Sequence, residues 1–133
     1  MRFLRSNSEG NRRKEIKIAA PTSMSLSRAI DRMRTALGRE NVLDRPEHLM
    51  VYEYDASVDT GVPGAIVLPT STEQVSAVMR IASEEGVSVV PRGAGTGLSG
   101  GSISRDGGIV LALSRMRRIV CVRPFCGRVN CST

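Results

Sequence analysis

The chain has 133 residues, of which 41% are hydrophobic and 24% charged, a balance typical of one soluble globular domain or less. No apolar run approaches the ~20 residues that a membrane-spanning helix needs. The net charge of +6 comes from the two ends: residues 1–20 hold six bases and two acids, and residues 114–133 hold five bases and no acid. Only four residues are aromatic, so stacking partners for a nucleic acid are scarce and we expect no nucleic-acid binding.

The N-terminal residues 1–24 are polar and basic, which predicts a flexible lead-in without the apolar core of a secretory signal. Near the other end, Cys121, Cys126 and Cys131 form no Cys-x-x-Cys pair, and the single histidine, His48, is far away in sequence. This spacing predicts neither a zinc site nor a four-thiolate iron–sulfur site. Three unpaired thiols indicate a reducing compartment, so we expect a cytoplasmic chain without a metal.

The first predicted element is an amphipathic helix over residues 25–37, with Ser25 as its N-cap and Gly38 closing it in a left-handed conformation. Its apolar stripe consists of Leu26, Ala29, Ile30, Met33 and Leu37. Residues 39–63 show no periodicity, apart from a possible turn at 46–50.

From residue 65 onward, the pattern of apolar and helix-capping residues predicts a βαβ unit. Residues 65–68 predict a buried strand, and residues 87–90 predict a second strand, β-branched at three of its four positions. The intervening helix has its apolar face at Val75, Val78, Met79 and Ala82 and stops at Gly86. Its capping box pairs either Thr70 with Glu73 or Ser71 with Gln74, and the sequence does not decide between them. The two strands should be parallel, with a right-handed crossover.

Further strands are predicted at residues 109–113 and from 119 to 122, with a polar turn at 114–118 between them. Residues 109–113 are apolar on both faces of the strand. We therefore expect one face of the sheet to stay uncovered in this chain alone, which favours self-association or a completing partner chain.

The informative segment is the glycine loop, residues 91–101, with the sequence PRGAGTGLSGG. It follows a buried parallel strand, and ligands of parallel α/β sheets bind at the carboxyl ends of the strands. Glycines allow the backbone to approach a ligand, and successive N–H groups can converge on an anion. The loop therefore predicts a pyrophosphate site.

Three alternatives compete with that prediction. A Walker A loop needs a lysine, which is absent here. A nicotinamide-type Rossmann loop needs a helix to begin at the glycines and an acid about twenty residues on, but residues 102–108 lack helical periodicity and 114–133 hold no acid. The third alternative is a glycine-rich surface loop without a ligand, which the preceding βαβ unit disfavours.

Together these residues resemble the flavoprotein family of bacterial glycolate oxidase flavin subunits and D-lactate dehydrogenases, with the vanillyl-alcohol-oxidase or PCMH-type FAD fold. The resemblance covers about 47 to 128. It is carried by GVPGAIVLP at 61–69, the glycine loop, IVLALSRMRRI at 109–119, and YEYDAS at 52–57. It implies an α/β (α+β) fold, the first subdomain of a PCMH-type FAD-binding domain. Such enzymes take a hydride from the α-carbon of a 2-hydroxy acid onto the flavin and pass the electrons onward.

The resemblance also implies which residues meet FAD. The residues expected along the phosphates are Arg92, Gly93, Ala94, Gly95, Thr96 and Gly97. Those expected to continue the cradle toward the flavin are Leu98, Ser99, Gly100 and Gly101. Pro69 would lie at the adenosine side. From the residues alone, Arg92 could instead pair with a local carboxylate or face solvent, and Asp55 could shape the adenine side or cap a turn.

Against this family the chain is short, and we expect it to be truncated. The predicted divisions are a lead-in at 1–24, a helix with an irregular segment at 25–60, and a partial FAD-binding domain at 61–133. No residue is expected to be catalytic, and the 2-hydroxy-acid substrate would bind only in a full-length protein. The alternative function is a non-catalytic remnant that binds an anion or a partner.

Overall fold

The computed structural model describes residues 22–56, 60–104, 107–123 and 128–131, with only the backbone beyond residue 119. The helices are α1 (Ser23–Leu37), α2 (Pro46–Leu49) and α3 (Thr72–Glu85), and short 3-10 turns occupy Arg39–Asn41, Met50–Tyr52 and Leu113–Arg115. The strands are β1 (Val42–Leu43), β2 (Ala65–Val67), β3 (Val89–Arg92), β4 (Ile109–Ala112), β5 (Ile119–Arg123) and β6 (Arg128–Cys131). No helix among these residues is long and apolar enough to cross a membrane. The predicted lead-in lies almost wholly outside the described residues.

Helix α1 buries the predicted stripe, but it begins earlier than predicted. Its N-cap is Thr22, and Ser25 lies inside the first turn, where its hydroxyl donates back to the Thr22 carbonyl at 2.8 Å. The prediction of Ser25 as the cap was therefore wrong. The helix ends at Gly38, whose N–H donates to the Arg34 carbonyl, but its φ of 91° and ψ of 148° lie outside the predicted left-handed helical region.

Helix α3 confirms one register of the predicted capping box. The Ser71 hydroxyl accepts from the Gln74 N–H at 3.3 Å, and the Gln74 side chain accepts from the Thr70 N–H at 2.8 Å. The helix ends as predicted at Gly86, which is left-handed at φ 65° and ψ 33°. Its buried face differs by one position, because Ile81 is buried while Met79 is 48% exposed.

The main sheet has the strand order β1-β2-β4-β3. Strands β2 and β3 each pair with β4 in parallel, so the predicted βαβ strands are parallel, with β4 inserted between them. Strand β1 pairs with β2 antiparallel. The carboxyl ends of β2, β3 and β4 therefore meet at one edge of the sheet, which we call the carboxyl edge.

Both faces of the central strand β4 are covered. Ile109 and Leu111 pack in the larger core under α1 and α3, while Val110 and Ala112 pack in a second core with Ile66 and Leu68. Leu43, Leu49 and Tyr52, from the segment without periodicity, cover this second core. The prediction of an uncovered face was wrong, because residues 42–52 fold back over it.

The strand predicted from residue 119 to 122 is confirmed as β5, which pairs antiparallel with β6. The predictions about thiols cannot be compared with it, because Cys126 and the side chains of Cys121 and Cys131 lie outside what the structure describes.

Candidate functional site

The glycine loop leaves β3 at the carboxyl edge and surrounds a concavity of about 400 Å³. Its lining residues are Pro91, Gly93, Ala94, Gly95, Thr96, Gly97, Ser99, Gly101 and Ser102. None of them carries a charge, so no carboxylate lines the concavity to repel an anion. Seven of the ten loop residues predicted at 92–101 thus line one concavity; Arg92, Leu98 and Gly100 do not.

No helix follows the glycines. Within the described residues the chain passes from β3 through bends and a turn, closed by the Ile103 N–H donating to the Gly100 carbonyl, and next enters β4. A nicotinamide-type site needs a helix N-terminus at this position. The structure therefore removes the Rossmann alternative.

The backbone amides of the loop are available to a ligand. In the part of the chain that the structure describes, no N–H from residue 94 to residue 99 donates to a backbone carbonyl. Amides without an internal acceptor need an outside one, either water or an anion. The loop therefore has the donor chemistry that a pyrophosphate requires.

The glycines of the loop fall into two kinds. A Cβ built on Gly93, Gly97 or Gly101 would meet no atom of the described residues within 4 Å, apart from the chain neighbours, so packing against the described residues does not explain why these three are glycine. A Cβ on Gly95 would come within 2.5 Å of the Arg92 guanidinium, and Gly95 has a φ of 72°. The first three glycines leave their backbone open to an approaching ligand, whereas Gly95 has a positive φ and lies against the guanidinium.

Other predicted residues differ in their surroundings. Thr96 and Ser99 are exposed and line the concavity with hydroxyls, whereas Leu98 is 78% exposed and is not among the lining residues. Pro69 follows β2 at the carboxyl edge and is fully buried, also outside the lining.

The segment 52–56 contacts the glycine loop and the residues next to it through three hydrogen bonds and one cation–π contact. The Arg92 guanidinium donates to the Tyr54 carbonyl at 3.0 Å and lies 5.2 Å from the centre of the Tyr52 ring. The Ala56 N–H donates to the Gly95 carbonyl at 3.2 Å, and the Ser102 hydroxyl donates to the Asp55 carboxylate at 2.9 Å. Among the described residues, Arg92 thus donates to a backbone carbonyl and not to a carboxylate.

Sequence reasoning missed Tyr52 and Tyr54 as residues of the site. One signal could have found them. The chain has two tyrosines in total, and both occur in this one short segment, which the family resemblance had already selected.

Comparison with known proteins shows the family. The profile of a family described as FAD binding domain matches residues 63–130. The chain belongs to this family. The FAD-binding domain resembles the glycolate oxidase subunit GlcD of Bacillus subtilis (39% identical over 84 residues) and the D-lactate dehydrogenase of Anaerostipes hadrus (43% over 58 residues). The matches cover 62% and 44% of this chain, but 18% and 12% of those proteins.

Solved structures agree on the fold. The FAD-binding domain superposes on p-cresol methylhydroxylase with a TM-score of 0.68 at 26% identity, over 77% of this chain and 21% of that one. A 4-ethylphenol oxidase from Gulosibacter chungangensis gives a TM-score of 0.69, also at 26% identity, over 79% and 21%. The predicted PCMH-type fold is confirmed, and these neighbours together with the family support FAD as the cofactor.

Proposed function

We propose that this chain is the FAD-binding portion of a flavin-dependent oxidoreductase acting on 2-hydroxy acids of the glycolate or D-lactate type. The support comes from the names of the similar proteins, glycolate oxidase subunit and D-lactate dehydrogenase. The observation that carries the proposal is the loop at the carboxyl edge, where the amides of 94–99 have no acceptor in the described backbone and no acid lines the concavity. FAD, when bound, supplies two-electron redox chemistry.

In this proposal the loop holds the pyrophosphate of FAD. Gly93, Gly97 and Gly101 let the phosphate oxygens reach the backbone, because a side chain there would occupy the open space beside it. The Thr96 and Ser99 hydroxyls add donors. The remaining assignments rest on the family resemblance alone: Ala94 along the phosphates, Leu98 and Gly100 toward the flavin, and Pro69 at the adenosine side.

We further propose that a polypeptide of these 133 residues does not turn over substrate alone. The matched segments cover less than a fifth of the length of the relatives described above, and among the described residues no titratable side chain lines the concavity. Residues 61–133 are the proposed FAD-binding portion. The cytoplasmic location stays a proposal based on the three cysteines of the sequence.

The proposal is tested by titrating ¹⁵N-labelled protein with FAD, and with riboflavin as the matched ligand without phosphate. NMR detects even weak binding, which suits a chain that covers a small part of its relatives. We expect FAD, but not riboflavin, to shift the amide resonances of residues 93–101. Gly97→Ala should weaken that response about 10-fold or more, because its Cβ occupies the approach to the amides. Equal responses to both ligands would contradict the pyrophosphate site.

One observation favours the alternative of a non-catalytic module that binds an anion. A second concavity, of about 340 Å³, is lined by Arg34, Arg39, Arg45 and His48, with Asp44 beside Arg34. In the same titration, shifts centred on Arg39 and Arg45, produced equally by inorganic phosphate and FAD, would support this alternative. Shifts confined to the glycine loop would argue against it.

A further inference from the structure

The contacts between the glycine loop and the segment 52–56 suggest a role for Arg92 other than ligand binding. We propose that Arg92 is a positioning residue. Its guanidinium contacts Tyr52 and Tyr54 and fixes the conformation of residues 94–97. Residue 95 is glycine because a side chain there would clash with the guanidinium. The identity of the ligand rests on the proposed function, but the positioning itself does not.

The first argument is where the guanidinium lies. One of its Nη atoms donates to the Tyr54 carbonyl, and the group stacks near the Tyr52 ring, while the other Nη lies where a Gly95 Cβ would stand. Arg92 therefore lies against the backbone of the loop at residue 95, and its anchors come from a segment about forty residues earlier in the chain.

The second argument is that the loop is tied to the same segment at two further points. The Gly95 carbonyl accepts from the Ala56 N–H, and Ser102, near the end of the loop, donates to Asp55. The loop is thus held before, within and after its run of amides. The three ties together define the conformation of a segment that its own sequence leaves free.

The third argument is the conformational entropy that the glycine loop loses when it becomes ordered. A glycine-rich loop loses more conformational entropy on ordering than any other kind, and the amides of residues 94–99 donate to no carbonyl of the described backbone that would offset it. Contacts that order the loop before the ligand arrives remove that cost from binding. Arg92 has two such contacts, a charge-assisted hydrogen bond and a cation–π contact.

A positioning role and a charge role predict different results for Arg92→Lys. Lysine keeps the positive charge near the anion but loses the planar group that stacks and donates at a fixed angle. If Arg92 only supplied charge, lysine would replace it. If Arg92 positions the loop, lysine should fail almost as completely as Arg92→Met.

The first experiment uses no ligand, so it is independent of the proposed function. The ¹⁵N relaxation order parameters S² of the amides of residues 94–99 are measured in the wild type, Arg92→Lys, Arg92→Met, Tyr52→Leu and Tyr52→Phe. Arg80→Met, on the exposed side of α3, is the control. We expect S² near that of ordered backbone, about 0.85, in the wild type, Tyr52→Phe and Arg80→Met, and below about 0.6 in both Arg92 variants and in Tyr52→Leu. Amides of β4 report whether each variant is folded.

A spectroscopic signature accompanies the order parameters. The Arg92 Nε–H resonance should carry a ring-current shift in the wild type and in Tyr52→Phe, and lose it in Tyr52→Leu. Order parameters of residues 94–99 that keep their wild-type values in Arg92→Met, or an Arg92 resonance insensitive to Tyr52→Leu, would overturn the proposal.

The second experiment adds FAD and measures its dissociation constant. We expect Arg92→Lys and Arg92→Met to weaken binding by similar factors, about 10-fold or more. Wild-type affinity in Arg92→Lys combined with loss in Arg92→Met would assign a charge role and reject positioning. If the wild type does not respond to FAD, the proposed function fails, and the order parameters still decide whether Arg92 positions the loop.

Gly95 gives the last check. Gly95→Ala combines a backbone penalty at positive φ with a clash against Arg92, whereas in the Arg92→Met background only the backbone penalty should remain. Gly86→Ala, also at positive φ but with no atom of the described residues beyond its chain neighbours within 4 Å of its Cβ, is the matched control for that penalty. Additive effects of Gly95→Ala and Arg92→Met on the order parameters of the loop would show that Gly95 does not make room for the guanidinium.

Discussion

Glycines crowd both ends of the parallel strands, and the two ends use them for opposite reasons. At the carboxyl edge, a Cβ on Gly93, Gly97 or Gly101 would have no described residue within 4 Å except its chain neighbours. At the amino ends of β2 and β4, a Cβ on Gly61 would stand 2.5 Å from the Ser104 carbonyl oxygen, and one on Gly64 would collide with the Gly107 carbonyl. The glycines at the carboxyl edge leave space open beside the backbone, whereas Gly61 and Gly64 allow neighbouring backbone segments to pack closely. A glycine-rich sequence therefore does not itself mark a binding site; the surroundings of each glycine decide.

The largest effect should come from substitution at the packed end. We expect Gly64→Ala to lower the free energy of unfolding by about 3 kcal/mol, because its Cβ meets backbone at Gly107 and the Leu26 side chain, which cannot both move away. Gly97→Ala should change it by less than about 0.5 kcal/mol. Urea unfolding followed by circular dichroism measures both. Equal losses of unfolding free energy in the two variants would show that the glycines at the two ends of the strands do not differ in this way.

An intermediate effect should separate structural from binding residues at the carboxyl edge itself. Ser71 follows β2 at that edge, yet its hydroxyl caps α3. We expect Ser71→Ala to cost about 1 kcal/mol of stability and to leave the FAD response of residues 93–101 unchanged. Ser76→Ala, the same change on the exposed side of the helix, should be neutral or slightly stabilising. A weakened FAD response in Ser71→Ala would extend the functional site beyond the glycine loop.

The smallest effect concerns the helical layer, away from the glycine loop. The Arg32 and Arg28 guanidiniums hydrogen-bond the Glu85 carboxylate and hold its pKa below the ordinary value of 4.5. A lowered folded-state pKa means that this contribution to stability is present above about pH 4.5 and is lost as the pH falls through the folded-state value.

Urea unfolding at pH 7 and at successively lower pH tests this contribution. We expect the wild type to lose more stability on acidification than Glu85→Gln does. Glu47→Gln, on the short helix α2 and without an ion pair among the described residues, should lose as much as the wild type. Equal losses of stability on acidification in the wild type and in Glu85→Gln would show that Glu85 does not contribute to this pH dependence.

The elements that sequence predicted well are those specified by neighbours in the chain. Helix α3 was recognisable because its cap, its apolar period and Gly86 all lie within a few residues of one another. The glycine loop was recognisable in the same way, by composition and by the strand before it.

What sequence could not give depends on contacts between distant residues. Strand β1 has two residues and no alternation, so its pairing with β2 has no local signal. The insertion of β4 between β2 and β3 is a matter of strand order, which periodicity does not encode. Arg92 meets Tyr54 across 38 positions, and nothing near Arg92 distinguishes a phosphate partner from a carbonyl.

The covering of β4 by residues 42–52 has a practical consequence for anyone who shortens this protein. The family match begins at residue 63, and trimming the polypeptide to that point would remove Leu43, Leu49 and Tyr52 from above Val110 and Ala112. It would expose an apolar sheet face to water and take away both anchors of Arg92. A shortened protein meant to present this loop should therefore keep residues 42–56, and also α1, whose Ile30, Met33 and Leu37 pack in the larger core.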